Sequence, residues 1–129
     1  MECDEKVLGK KKFCVTFDHK KGHRFADEIE GDKTIHINGK NAPILKVKRG
    51  YMYYFVVDQK QHHGQYDNLF VLTKSPVGLY EGHCPKPLNN SFDPVGSGCV
   101  KYFVNSKTPK YFYYQSTTHA FLGNLVIVE

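Results

Sequence analysis

Histidine, cysteine and clustered carboxylates are the residues in this chain that could do chemistry, and most of them are spaced against it. His19 and His23 stand four apart, the spacing that puts two imidazoles on one helical face for a metal. Lys20, Lys21 and Gly22 between them make a poor helix and repel a cation, so the segment reads as a solvated loop. His36 and His83 are isolated and read as structural or exposed. Asp27, Glu28 and Glu30 offer carboxylates, but Asp27 and Glu28 fall on opposite faces of an extended chain with nothing to pair them for acid–base work. Cys3, Cys14, Cys84 and Cys99 lack C-x-x-C spacing. They are free thiols in a reducing compartment, whereas under oxidation Cys84 and Cys99 could pair and close a loop. No serine lies in a nucleophile elbow, and Gly96-Ser97-Gly98 is not followed directly by Lys or by a helical pattern, so it cradles no phosphate. No catalytic residue is expected, and the chain reads as a non-enzyme.

The elements that would position such residues are strands. The 129 residues fit one domain spanning 1–129. Val, Ile, Phe, Tyr and Thr together number 41, which favours sheet over helix. Strands are expected at Phe13–Phe17, Phe25–Glu30, Thr34–Ile37, Pro43–Lys48, Tyr51–Val57, Asn68–Thr73, Val100–Val104, Lys110–Gln115 and Leu125–Val128. Residues 1–12 read as a polar lead. Between Ser75 and Gly98 lies a Pro-, Gly- and Asn-rich excursion of more than twenty residues with little regular structure, the kind of loop that tends to be functional or mobile. No repeat or linker is visible. Many short strands with intervening turns mean a sandwich or barrel of about eight strands.

The net charge is +5, carried by 16 Lys against only Arg24 and Arg49. Lysine is a point charge poorly suited to bidentate base reading, so specific DNA recognition is disfavoured, while weak non-specific polyanion binding through Lys10–Lys12, Lys20–Lys21 and Lys46/Lys48 stays open. Arg49-Gly50-Tyr51-Met52-Tyr53 looks like an RNA-recognition strand, but Met52 stands where that motif wants Gly or Ala, and no crossing helices are expected. No apolar run reaches the length of a membrane span, and the polar start lacks the core of a secretory signal. A cytoplasmic or intracellular location is therefore expected, and Asn89-Asn90-Ser91 reads as an accidental glycosylation match.

Two segments taken together resemble the cupredoxin superfamily, over roughly residues 34–129. The first runs from Asn38 through Pro43 and Arg49-Gly50 to the aromatic Tyr51–Val57. The second, Thr108–Val128, resembles the family's closing hairpin, in which an aromatic strand delivers a ligand loop and a last aliphatic strand returns. The resemblance implies a cupredoxin-like Greek-key β-sandwich with one long irregular loop. It extends to small cupredoxin-like chains carried by large DNA viruses, and Lys-rich, Arg-poor usage is compatible with such a copy and with a virion role.

The resemblance also implies a ligand loop whose residues can be tested by chemistry. A type-1 copper site needs two imidazoles, a thiolate and a weak axial methionine. The positions of Cys, His and Met in the family's loop hold Ser116, His119 and Leu122 here. Serine supplies no soft thiolate and leucine no lone pair, so blue-copper electron transfer is not expected and no cofactor is required. The family's upstream histidine lies after the aromatic strand, where His62 and His63 stand, with a longer spacing than the family's. The expectation is a non-catalytic scaffold that has lost its copper site and serves a protein partner. The alternatives are a copper(II) or zinc site built on His119 with His63 or His62, helped by Gln115 or Asp67, and a basic module for nucleic acid or an acidic protein.

Overall fold

A computed structural model describes residues 7–23, 25–29, 31–79 and 83–129. Nine strands form two sheets, and no α-helix occurs among the described residues. They are β1 (Gly9–His19), β2 (Lys33–Ile37), β3 (Lys40–Asn41), β4 (Leu45–Val47), β5 (Tyr51–Asp58), β6 (Phe70–Thr73), β7 (Gly98–Phe103), β8 (Tyr111–Ser116) and β9 (Asn124–Val128). One sheet has the order β3-β2-β1-β5-β7 and the other β4-β9-β8-β6. The all-β sandwich expected from the short strands is the architecture observed.

Period-two alternation builds the core. Val15 and Phe17 of β1, Ile35 and Ile37 of β2, and Tyr53, Phe55 and Val57 of β5 point inward from one sheet. Phe70 and Leu72, Phe112 and Tyr114, and Val126 and Val128 meet them from the other. Phe70 lies 5.4 Å from Phe55 and 6.2 Å from Tyr114, so aromatic contacts join the two layers.

Three details differ from the sequence expectation. β1 begins at Gly9 rather than Phe13, because Gly9–Thr16 pairs in parallel with Tyr51–Asp58 and a backbone ladder needs no apolar pattern. Lys10–Lys12 therefore belong to a strand, while residues 1–6, including Cys3, lie outside the described residues. Phe25–Ile29 is a turn, not a strand: Glu28 and Ile29 donate their N–H groups back to the Phe25 carbonyl at 3.0 and 3.1 Å. Arg24 and Glu30 are likewise outside the described residues. The third is the short β3, which turns back on β2 through Asn38 and Gly39, both at positive φ.

The excursion between β6 and β7 is pinned to the sandwich at the places that matter. Phe70 and Val95 exchange both backbone hydrogen bonds, and Leu88 donates to the Leu72 carbonyl at 2.9 Å. The free edge of β6 is thus covered by its own downstream loop, and all four of its residues are buried. Cys14, Cys84 and Cys99 are free, exposed thiols.

Candidate functional site

Ser116 ends β8, and Phe70 of β6 is its cross-strand partner. That register carries Asn68, two residues before Phe70, to the mouth of the β8–β9 loop, where Thr117 donates its N–H to the Leu69 carbonyl at 3.0 Å. Two glycines let the loop close. A Cβ on Gly123 would stand 1.6 Å from the Tyr114 carbonyl oxygen, so only glycine lets the chain return this tightly against β8. Gly78, at φ +88°, packs against the Ser116 carbonyl, which a Cβ would approach to 2.8 Å.

Inside this loop the hydrogens can be assigned one by one. Thr118 has a single hydroxyl hydrogen, and the Asp67 carbonyl at 2.8 Å can only accept it. The Ser116 hydroxyl accepts the Thr118 N–H at 3.2 Å, and its one hydrogen faces two acceptors, Asn68 Oδ1 at 3.2 Å and Thr118 Oγ1 at 3.0 Å. His119 Nδ1 lies 2.8 Å from the same Asn68 oxygen and 2.9 Å from Thr118 Oγ1, both acceptors in this arrangement. Nδ1 therefore carries the proton, and Nε2 is the nitrogen left with a lone pair. Asn68 is the hub, 4 % exposed, with Ser116 fully buried beneath it. The Asn68 backbone is fixed in turn: Gln59 donates Nε2 to its carbonyl at 2.8 Å and accepts its N–H on Oε1 at 3.2 Å.

The remaining residues of the loop are tied to the scaffold. Leu122 is 1 % exposed and packs in the core, while its carbonyl accepts the Ile35 N–H from the opposite sheet at 3.1 Å. Gln115 is buried, with Nε2 donating to the Pro76 carbonyl at 2.8 Å and Oε1 accepting the Gly123 N–H at 3.0 Å. Both polar ends of Gln115 are thus engaged within the fold.

His119 and His62 line one cleft of about 320 Å³, together with Asp32, Lys33, Asp67 and Asn68. His62 is well exposed, and its Nδ1 pairs with the Asp67 carboxylate at 3.3 Å. His63 sits at positive φ in the turn closed by the His62–Gln65 backbone pair and does not line the cleft. Among the described residues, no three His, Cys, Asp or Glu side chains form a group that could hold a metal ion. The other histidines lie away from this cleft. His19 Nδ1, at the end of β1, accepts the Lys21 N–H and His23 Nδ1, in the loop that follows, accepts the Phe25 N–H, so this pair does not share a helical face. His36 Nε2 lies 3.1 Å from the His19 carbonyl, and His83 is exposed. Asp27 and Glu28 are exposed in their turn.

Asn68 was missed by sequence reading, since no residue type or spacing links it to Ser116, 48 positions away. The one signal was its place, the last polar residue before the apolar run Leu69–Leu72.

No protein-family model matches the chain, and no curated protein matches it in sequence. Solved structures of rusticyanin do match in fold. A histidine-to-methionine variant of rusticyanin superposes with a TM-score of 0.58 at 13 % identity, covering 100 % of this chain and 86 % of that one. A rusticyanin structure described as that of a copper protein gives 0.54 at 13 % identity, covering 93 % and 78 %. Rusticyanin from Thiobacillus ferrooxidans gives 0.52 at 16 % identity, covering 93 % and 77 %. Identities this low speak for fold alone. With nine strands in two sheets and these neighbours, the chain has the cupredoxin-like β-sandwich fold.

Proposed function

We propose that this protein is a non-catalytic binding module built on the cupredoxin-like fold, in which a hydrogen-bonded polar cap stands where a type-1 copper site would. The observation that carries the reading is Asn68 Oδ1, which takes hydrogen bonds from both Ser116 and His119. The donor set does not fit a type-1 copper ion. Ser116 offers a neutral hydroxyl where a thiolate is needed, and Leu122 is an aliphatic side chain in the core. His119 Nδ1 points its proton at Asn68, so a metal bound through Nδ1 would break that bond and leave a buried amide oxygen with one partner fewer, whereas ligation through Nε2 would leave it intact.

Copper(II) titration monitored by absorption and elemental analysis tests the reading. The expected result is no intense blue thiolate-to-copper band and no copper retained after dialysis. A stable blue band would overturn it.

A second reading, a copper(II) or zinc site, draws support from the cleft that His119 shares with His62 and Asp67. Its prediction is a saturable zinc heat in calorimetry that disappears in His119→Ala. Unchanged heat in that variant would remove His119 from the site.

A further inference from the structure

At the opposite end of β6 and β8 from His119 lies the larger of these two cavities, about 470 Å³. It is walled by the residues that follow β6, by the Lys86–Asn90 stretch of the excursion and by the loop from Asn105 to Pro109. Its volume falls within the roughly 300–1,000 Å³ of small-molecule sites.

Its chemistry is one-sided. Lys74, Lys86 and Lys107 line it, and all three are exposed. No Asp or Glu stands among the described residues of its lining. Three lysines lining one hollow, with no carboxylate among its described lining, favour an anion, and lysine suits phosphate as a point charge.

The floor is polar but settled. Tyr102 and Thr108 are 4 % and 5 % exposed, and their hydroxyl oxygens lie 3.3 Å apart. Thr108 Oγ1 also accepts the Asn105 N–H at 2.9 Å. From behind, Arg49 Nη1 donates to the carbonyls of Asn105 and Thr108 at 2.8 and 2.7 Å, which holds this wall in place without a ligand. Asn89 and Asn90 present amides that can both give and take hydrogen bonds, as sugar hydroxyls require, and Leu88 adds an apolar face for ring carbons.

We propose that this cavity binds a small phosphate monoester with a sugar-sized polar body, its phosphate among Lys74, Lys86 and Lys107. The inference does not depend on the fate of the copper site, since the two share no lining residue.

The test is an amide NMR titration of the ¹⁵N-labelled full chain with ribose 5-phosphate, with ribose and inorganic phosphate as comparators. Saturable shifts confined to Thr73, Leu88, Tyr102 and Thr108 are expected with ribose 5-phosphate, weaker ones with phosphate and none with ribose. The double variant Lys86→Ala/Lys107→Ala, which changes only exposed side chains, is expected to bind at least tenfold more weakly with an otherwise unchanged spectrum. Absence of binding, equal affinity for inorganic phosphate, or shifts scattered over other lysines would each overturn the proposal.

Discussion

The two ends of this sandwich handle polar groups in opposite ways. At the end where β6 begins and β8 finishes, Ser116, Thr118, His119 and Asn68 satisfy one another and leave little unanswered. At the other end the neutral and backbone groups are also tied down, by Arg49, Tyr53 and Thr108, yet three lysines ring a hollow with no ion pair among the described residues. A closed network stabilises and positions. Charges left without partners are free to meet something else. The contrast puts the structural burden of the molecule at the His119 end and its binding potential at the lysine end.

Breaking the closed end should cost most. Gly123→Ala puts a methyl group into the Tyr114 carbonyl and should destabilise by about 3 kcal/mol or more, or prevent folding, as read from urea unfolding. Asn68→Ala removes the shared acceptor and leaves Thr118 Oγ1 as the one remaining acceptor for both the Ser116 hydroxyl and the His119 N–H. It should cost about 2–3 kcal/mol in the same measurement. A loss below about 0.5 kcal/mol would mean that the network is not formed in solution.

The lysine end should respond less. Arg49→Ala frees the carbonyls of Asn105 and Thr108 and should cost about 1–2 kcal/mol, while also weakening ribose 5-phosphate binding by loosening the wall. Tyr53 sharpens the comparison through pH. Burial pushes its phenol above its ordinary value of 10.0, with the Lys48 N–H donated to its oxygen pulling the other way. A folded-state value above the unfolded one means that the contribution is fully present below pH 10 and is lost as pH rises through the folded value. Stability measured from pH 8 upward should therefore be level and then fall above pH 10, and Tyr53→Phe should remove that part of the fall. The smallest effect belongs to Lys86→Ala/Lys107→Ala, whose stability should stay within about 0.5 kcal/mol of the parent.

How far the sequence revealed all this depends on whether the signal was local. The apolar, aromatic runs in Tyr51–Val57 and Lys110–Gln115 are a property of neighbouring residues, so β5 and β8 were legible almost to the residue. β1 was read too short because its first half is held by backbone pairing to β5, which lysine side chains do not advertise. The turn at Phe25–Ile29 passed for a strand because Phe25 and Ile29, each packed on the core, bracket it like strand ends. His119, Ser116 and Leu122 were singled out through the resemblance of their loop to the cupredoxin ligand loop. The hub Asn68 was not, because only the β6–β8 register brings it there. The lysine cavity was invisible for the same reason: Lys74 and Lys86 come from distant parts of the β6–β7 excursion and Lys107 from the β7–β8 loop, and they meet only once the sandwich has formed.

The most direct measurement of the central claim is a long-range ¹⁵N–¹H NMR spectrum of the His119 ring, recorded alone and with one equivalent of copper(I) and then of zinc. The expected result is an Nδ1 proton hydrogen-bonded to Asn68, with ring chemical shifts that neither metal moves. A ring carrying its proton on Nε2, with an Nδ1 resonance displaced by stoichiometric metal, would contradict the polar cap and return the site to metal chemistry.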